Sequence, residues 1–286
     1  MGDARGEAVT ERALVLGGGG ITGIGWMWGL LAGLADRGVD LRTADLVVGT
    51  SAGAVVGAQV AAGLDPQERY AAQLAPPDGE LAVAPGRGTL VRLALALVGP
   101  PAPQRVRARI GRVALATRTM PEAERLAAIA SRLPLHTWPD RPLQVTAVDA
   151  VTGEFRAFDR ASGVGLVDAV AASCAVPGVW PPVTVLGRRW IDGGVRSAAN
   201  ADLAEGYSRI VVLAPVIRGV GPFVGVRQQV AELRERSRVA LVSPDVAALQ
   251  AIGRNMLDPA RRAASARAGQ AQAAAVAEEV AAAWGG

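Results

Sequence analysis

The chain has no lysine, one cysteine, one histidine and only eleven aromatic residues (six Trp, two Tyr, three Phe) in 286. A lone cysteine, Cys174, cannot close an internal disulfide, which fits a reducing compartment; such a residue most simply fills core space as a small hydrophobe. So few aromatics, with no basic-aromatic module among them, leave nucleic-acid binding without support. Without lysine, all 30 basic residues are arginine, against 26 acidic ones, for a net charge of +4 and a pI of 10.4. That excess is modest in a chain rich in Ala, Gly and Arg. Coding bias explains it as well as an anionic partner would, and contact with an anionic lipid surface stays open. Residues 1–12 are charged and lack the apolar core of a secretory signal, and Gly6 stands where a myristoylation signal needs Ser or Thr.

Uninterrupted membrane-spanning runs are also lacking. Windows 13–35 and 46–64 are free of charge and close to spanning length. The first holds eight glycines, four of them consecutive at Gly17 to Gly20, and the second is broken by Gly-Thr-Ser-Ala-Gly. Neither suits a lipid-exposed helix. Each reads as buried strand, turn and buried helix, so a soluble, cytoplasmic protein is expected, peripheral at a membrane at most.

Half of the residues are apolar, enough for one large core, and no Pro/Ser/Gly-rich tether divides the chain. One domain over 1–286 is expected, with a core at about 13–215, an insertion at about 76–104 and a helical C-terminal extension at about 225–286. Residues 13–16 are an all-apolar run, as in a strand buried on both faces. A helix over 23–37, a strand at 46–48 and a small-residue helix over 52–62, stopped by Gly63, follow. This alternation points to a parallel sheet with helices on both faces. The insertion is Pro- and Gly-rich around an apolar segment, 90–98, that reads as a cap helix or a membrane-docking surface. Helices over 105–118 and 121–133 lead to strands at 143–149 and 154–158 and a helix over 165–174. A hairpin over 183–191 turns at Gly187, 210–215 is the last buried strand expected, and the tail from Pro259 reads as helix.

Gly49-Thr50-Ser51-Ala52-Gly53 is a G-x-S-x-G pattern. Alone it is weak, since chance supplies one in about one in eight chains of this composition. Its context is stronger. It follows a strand and opens a helix, the setting of a nucleophile elbow, where small neighbours permit the tight turn and the helix N-terminus favours developing negative charge. Gly17 to Gly23 reads three ways. Gly18, Gly20 and Gly23 match the dinucleotide fingerprint, but no acidic residue closes the next strand. The consecutive glycines could instead present backbone N–H groups to an oxyanion, or form a plain strand-helix turn. A nucleophilic serine needs a base, and the sole histidine, His136, sits in a surface-loop sequence before a strand. An aspartate must then be considered. Asp192 ends an apolar strand and is followed by Gly193 and Gly194, which allow a sharp turn and close backbone approach; a lone Asp-Gly is usually only a turn.

Four blocks, in order, resemble the patatin-like phospholipases. They are the glycine loop from Gly18 to Gly23, the elbow from Gly49 to Gly53, the small-residue block Ala172-Ser173-Cys174-Ala175-Val176-Pro177-Gly178 continuing through Trp180-Pro181-Pro182-Val183, and Asp192-Gly193-Gly194. The resemblance covers roughly residues 13–215, about two thirds of the chain. It implies an α/β fold, a three-layer α/β/α sandwich with a mostly parallel central sheet. It implies hydrolysis of fatty-acyl esters of lipids by a Ser51–Asp192 dyad, with the N–H groups of Gly18, Gly19, Gly20 and Ala52 holding the oxyanion and no metal or cofactor. Gly23, Gly49, Gly53, Gly193 and Gly194 support these motifs. Two alternatives share the fold, an acyltransferase or thioesterase and a catalytically silent lipid-binding regulator. The family commonly has Lys or Arg where this chain has Thr22, so a fixed positive charge near the oxyanion or a lipid phosphate is missing there. Trp26, Met27 and Trp28 add bulk after the loop, as acyl-pocket wall or as core.

Overall fold

A computed structural model of the chain describes residues 11–77, 82–219 and 221–285. Residues 1–10 and Gly79 of the insertion, on which part of the sequence reading falls, lie outside the described residues. In chain order the first half contains β1 (Arg12–Leu16), α1 (Gly20–Ala35), β2 (Leu46–Gly49), α2 (Ala52–Ala61), α3 (Pro66–Leu74), α4 (Arg87–Ala96), α5 (Pro103–Ala116) and α6 (Glu122–Ala130). The second half contains β3 (Leu143–Asp149), β4 (Phe155–Phe158), α7 (Leu166–Ser173), β5 (Val183–Val185), β6 (Arg188–Asp192), β7 (Arg209–Leu213), α8 (Val226–Leu233), β8 (Arg238–Val242), α9 (Val246–Ile252) and α10 (Arg262–Trp284).

The strands form one sheet in the order β5-β6-β3-β2-β1-β7-β8, with β4 also paired to β3. From β8 to β3 the neighbours are parallel, with Leu14 of β1 opposite Val47 of β2 and Val211 of β7; β4, β5 and β6 join in antiparallel fashion. Successive side chains of a strand point to opposite faces. On one face Leu14 and Leu16 pack with Trp26, Val55, Val170 and Val280 of the helices, while on the other Ala13 and Val15 pack with Val226 and Val230 of α8. Farther along that second face, Val148 and Ile191 meet Val106 and Ile110 of α5. An all-apolar strand is what a layer with helices on both sides requires, and the expected three-layer architecture is the one observed.

The C-terminal portion differs from expectation. The strand β8 follows β7 and extends the parallel edge, so 225–286 is not wholly helical and β7 is not the last strand. Its five residues begin with an arginine and are only partly buried, which gives little apolar contrast to read. Tail helix α10 lies against α1 along a stripe of Gly25, Gly29 and Gly33, facing Ala266 and Gly269. A Cβ on Gly29 would overlap the Ala266 carbonyl, so the two backbones touch. This contact places Trp26, Met27 and Trp28 in the core at 0% exposure. The indole N–H groups donate to Gln272 from Trp26 and to Gln59 from Trp28, both at 2.9 Å. Helix α3, absent from the sequence reading, carries its start signal openly. Asp65 accepts the N–H groups of Gln67 and Glu68 at 2.9 and 3.0 Å, and Pro66 occupies the first turn. Among the described residues no helix is long and apolar enough to cross a membrane.

Candidate active site

Ser51 stands between β2 and α2 with φ +54° and ψ −118°, a conformation that a side chain other than glycine adopts only under constraint. The constraint comes from both sides. Gly53 lies so close to β1 that a Cβ there would overlap the Leu16 carbonyl, and Gly49 is similarly crowded by Ala54. The Ser51 N–H donates to Ser173 Oγ at 2.8 Å, and the Cys174 thiol donates to the Ser51 carbonyl at 3.3 Å. The small-residue block at the end of α7 thus anchors the elbow from behind. Below it runs a buried polar cluster. Thr146 of β3 donates to Thr50 Oγ1 at 2.9 Å, and Asn200 Nδ2 reaches Thr50 Oγ1 at 3.0 Å and the Gly193 carbonyl at 3.3 Å. Elbow, β3 and the Asp-Gly-Gly turn are therefore tied together by side chains outside the four motif blocks.

Asp192 ends β6 opposite Ala147 of β3. Gly193 is required next, since any Cβ would overlap Thr146 Oγ1 where β3 passes. The Gly194 N–H folds back to Asp192 Oδ1 at 2.7 Å. The carboxyl is 5% exposed and Ser51 is 8% exposed. Burial pushes Asp192 up to about 6, against the opposing influences of the Ser51 side chain, the Gly194 N–H and the charge of Arg125. Such a carboxylate is ionised at neutral pH yet more basic than a solvated one, which suits proton acceptance. Cys174 is chemically quiet, because burial pushes its thiol up to about 12.

The glycine loop departs from expectation at one donor. Gly18 N–H is committed to the Ala198 carbonyl at 2.7 Å, so it is not available to an oxyanion. The N–H groups of Gly19, Gly20 and Ala52 donate to no protein acceptor among the described residues. Gly23 N–H donates to the Gly19 carbonyl at 2.8 Å and starts α1. Thr22 is buried, and both its N–H and its hydroxyl donate to the Met256 carbonyl, at 3.1 and 3.2 Å. The position thus pins the segment between α9 and α10 over the loop.

The positive charge missing from the loop arrives from α6. Arg125, 4% exposed, lies 4.0 Å from the centre of the Trp180 ring, and its charge reaches both Asp192 and Cys174. With Ile24, Val55, Arg132 and Leu257, this pair walls a narrow cleft at Ser51. No motif marks Arg125; the one available signal was a buried-face position in an amphipathic helix. His136 is exposed in the loop after α6, where Nε2 lies 3.1 Å from the Ala130 carbonyl, and it takes no part in the cleft. A roomier cavity, between α8 and residues 202–208, shares no residue with the Ser51 cleft.

A family model described as "Patatin-like phospholipase" matches residues 14–205. No curated protein matches the chain. Among solved structures, VipD from Legionella pneumophila is similar at 14% identity and a TM-score of 0.46, over 94% of this chain and 67% of that one. The type III effector ExoU is similar at 18% identity and a TM-score of 0.42, over 95% of this chain and 53% of its own. A full-length ExoU of Pseudomonas aeruginosa, solved in complex with SpcU, gives 18% and 0.43 over 97% and 53%. The chain therefore spans about half the length of the ExoU structures it matches.

Proposed function

The chain belongs to the patatin-like phospholipase family, and from that premise we propose that it hydrolyses fatty-acyl esters of lipids with Ser51 as nucleophile and Asp192 as its base. The observation that carries this reading is the pairing of a strained Ser51 at the head of α2 with a buried Asp192 whose carboxyl is pushed up to about 6. Asp192 takes the Ser51 proton as Oγ attacks the acyl carbonyl carbon. The resulting oxyanion is held by N–H groups of Gly19, Gly20 and Ala52 and by the N-terminal field of α2. Collapse breaks the ester bond; the leaving alkoxide takes the proton from Asp192 and departs as an alcohol or lysolipid. Water, deprotonated by Asp192, then attacks the acyl-enzyme, and Ser51 regains its proton. Arg125 adds positive charge beside this sequence of anions. A fluorophosphonate probe should label the protein, and Ser51→Ala should abolish both labelling and acyl-ester hydrolysis. Full labelling of the alanine variant would assign the chemistry to another serine.

The same reading includes peripheral contact with a lipid surface. Helix α4 and the turn after it expose Leu90, Val91, Leu95 and Val98 at 51 to 68%, alongside Arg87 and Arg92, and Thr89 of α4 abuts Gly178, next to the wall of the Ser51 cleft. Co-sedimentation with liposomes should rise with anionic lipid content, fall with salt, and weaken in Leu95→Ser. Equal, negligible binding to neutral and anionic vesicles would remove this part of the proposal.

A further inference from the structure

Ser51 and Asp192 leave the sheet from strands that are not neighbours. Strands β2 and β6 each pair with β3, so the two turns start two strand spacings apart, about 9–10 Å. A proton passes between their side chains only within hydrogen-bond reach. The turns must therefore be drawn together across β3. The side chain of Asn200 bonds to both. Its Nδ2 donates to Thr50 Oγ1 at 3.0 Å, beside Ser51, and to the Gly193 carbonyl at 3.3 Å, beside Asp192. The Ser197 carbonyl at 2.9 Å, on the chain leaving the Asp-Gly-Gly turn, and Thr146 Oγ1 at 3.4 Å, on β3, complete the set. Oxygens from three segments thus converge on one amide nitrogen.

The orientation of that amide is fixed by Arg196. A guanidinium can only donate, so the atom that takes Arg196 Nη1 at 2.8 Å is the carboxamide oxygen, and the nitrogen faces the two turns. Arg196 is itself paired with Asp202, and its guanidinium carbon lies 4.2 Å from the centre of the Phe155 ring. Asn200 is completely buried, with a left-handed backbone at φ +52° and ψ +44° that Asn tolerates better than most residues. A left-handed Asn by itself is only a turn residue. Here the turn is also braced, since Ser197 Oγ accepts the Asn200 N–H at 3.2 Å and donates to Gln229 at 2.8 Å. We propose that Asn200 is a positioning residue: its amide, oriented by Arg196, holds the elbow and the Asp-Gly-Gly turn at the separation over which Asp192 takes the Ser51 proton. The inference rests on the hydrolase reading. An ångström of drift between such partners costs about 100-fold in rate. Asn200 is not part of the cleft wall, so loss of its amide should appear in kcat and not in KM.

The test measures kcat and KM for a soluble p-nitrophenyl acyl ester, with the rate and final extent of fluorophosphonate labelling, on the whole chain. Asn200→Gly suits the left-handed backbone and removes the amide, whereas Asn200→Asp keeps the acceptor for Arg196 and removes the donor. Both should label completely, with kcat about 10- to 100-fold lower and KM within about two-fold. In an Asp192→Asn background, Asn200→Gly should slow labelling by less than about three-fold further, read above the Ser51→Ala blank, because the group it aligns has gone. Arg196→Gln leaves the amide in place without its anchor and should lower kcat several-fold; it carries the test if the Asn200 variants do not fold. Unchanged kcat in any folded variant, or an undiminished loss in the Asp192→Asn background, overturns the proposal. A lower labelling extent with an unchanged rate per labelled chain also overturns it, by reducing Asn200 to a structural role. An active Asp192→Asn defeats the dyad reading. An inactive Asp192→Asn beside a fully active Asn200→Gly leaves the dyad standing and defeats only the role of Asn200.

Discussion

Asp149 and Asp192 lie on the same pair of antiparallel strands, Asp149 opposite Trp190 and Asp192 opposite Ala147, and are 2% and 5% exposed. Their carboxyls nevertheless shift in opposite directions. Burial pushes Asp149 up, but the N–H groups of Thr152 and Val151, each at 2.8 Å, and the Arg188 guanidinium at 2.6 Å outweigh it and hold the carboxyl below its ordinary range. At Asp192 burial prevails, because one backbone N–H, the Ser51 side chain and a more distant arginine do not make up for the lost water. Burial alone does not raise a carboxyl. The number of donors the turn supplies decides, and Asp-Gly-Gly supplies one where the turn after Asp149 supplies two and a cation.

The largest expected difference between the two is kinetic. Asp192→Asn keeps the shape but removes the proposed proton acceptor and should lower kcat/KM by about two to four orders of magnitude. Asp149→Asn should cost less than about ten-fold, since it touches no reacting atom. In wild type the rate should fall as pH drops through about 6, the value of the Asp192 carboxyl, and that limb should persist in Asp149→Asn and in His136→Ala. If His136→Ala is as inactive as Asp192→Asn while still folded by circular dichroism, Asp192 is not the base.

Stability should move less and with opposite signs. A raised carboxyl such as Asp192 contributes stability below its unfolded value of 3.8 and loses it as pH rises through about 6. Asp192→Asn should therefore stabilise the protein at pH 7.5, by at most about 3 kcal/mol, with the gain vanishing near pH 4. A lowered carboxyl such as Asp149 contributes above 3.8 and loses this as pH falls through its folded value. Asp149→Asn should cost about 1–2 kcal/mol at pH 7.5, a figure kept small because Arg188 is 40% exposed, and this cost should shrink towards pH 3. Urea unfolding of the three proteins across this range measures both slopes; parallel curves would show that the two turns are electrostatically alike.

Much of this contrast could be anticipated residue by residue. The strand-turn-helix around Ser51 follows from an all-apolar run, a G-x-S-x-G and a small-residue helix, and the structure has all three in place. The Asp-Gly-Gly turn was legible for the same reason, since only glycine tolerates the approach of Thr146. Arg125 was not, because an arginine on a helix carries no mark of what it will face. Gly18 was assigned an oxyanion role that its neighbour Ala198 takes away, a contact across 180 residues that no local pattern encodes. The segment from 225 onward looked like an appendage because β8 is short and begins with an arginine, and because α10 is alanine-rich on every side.

By itself the sequence determined the elements and the chemistry they can carry. Periodicity, glycine placement and the two acidic and nucleophilic motifs act over a few residues, and local sterics suffice to read them. Tertiary structure alone decided which aspartate has its carboxyl raised, which glycine N–H remains open and where the arginines gather. Each of these depends on how many donors, carbonyls and charges surround one atom, and those neighbours arrive from strands and helices far apart in the chain. Desolvation and Coulomb interactions depend on distance in space, and that distance exists only after α6, α10 and β3 have closed around Ser51.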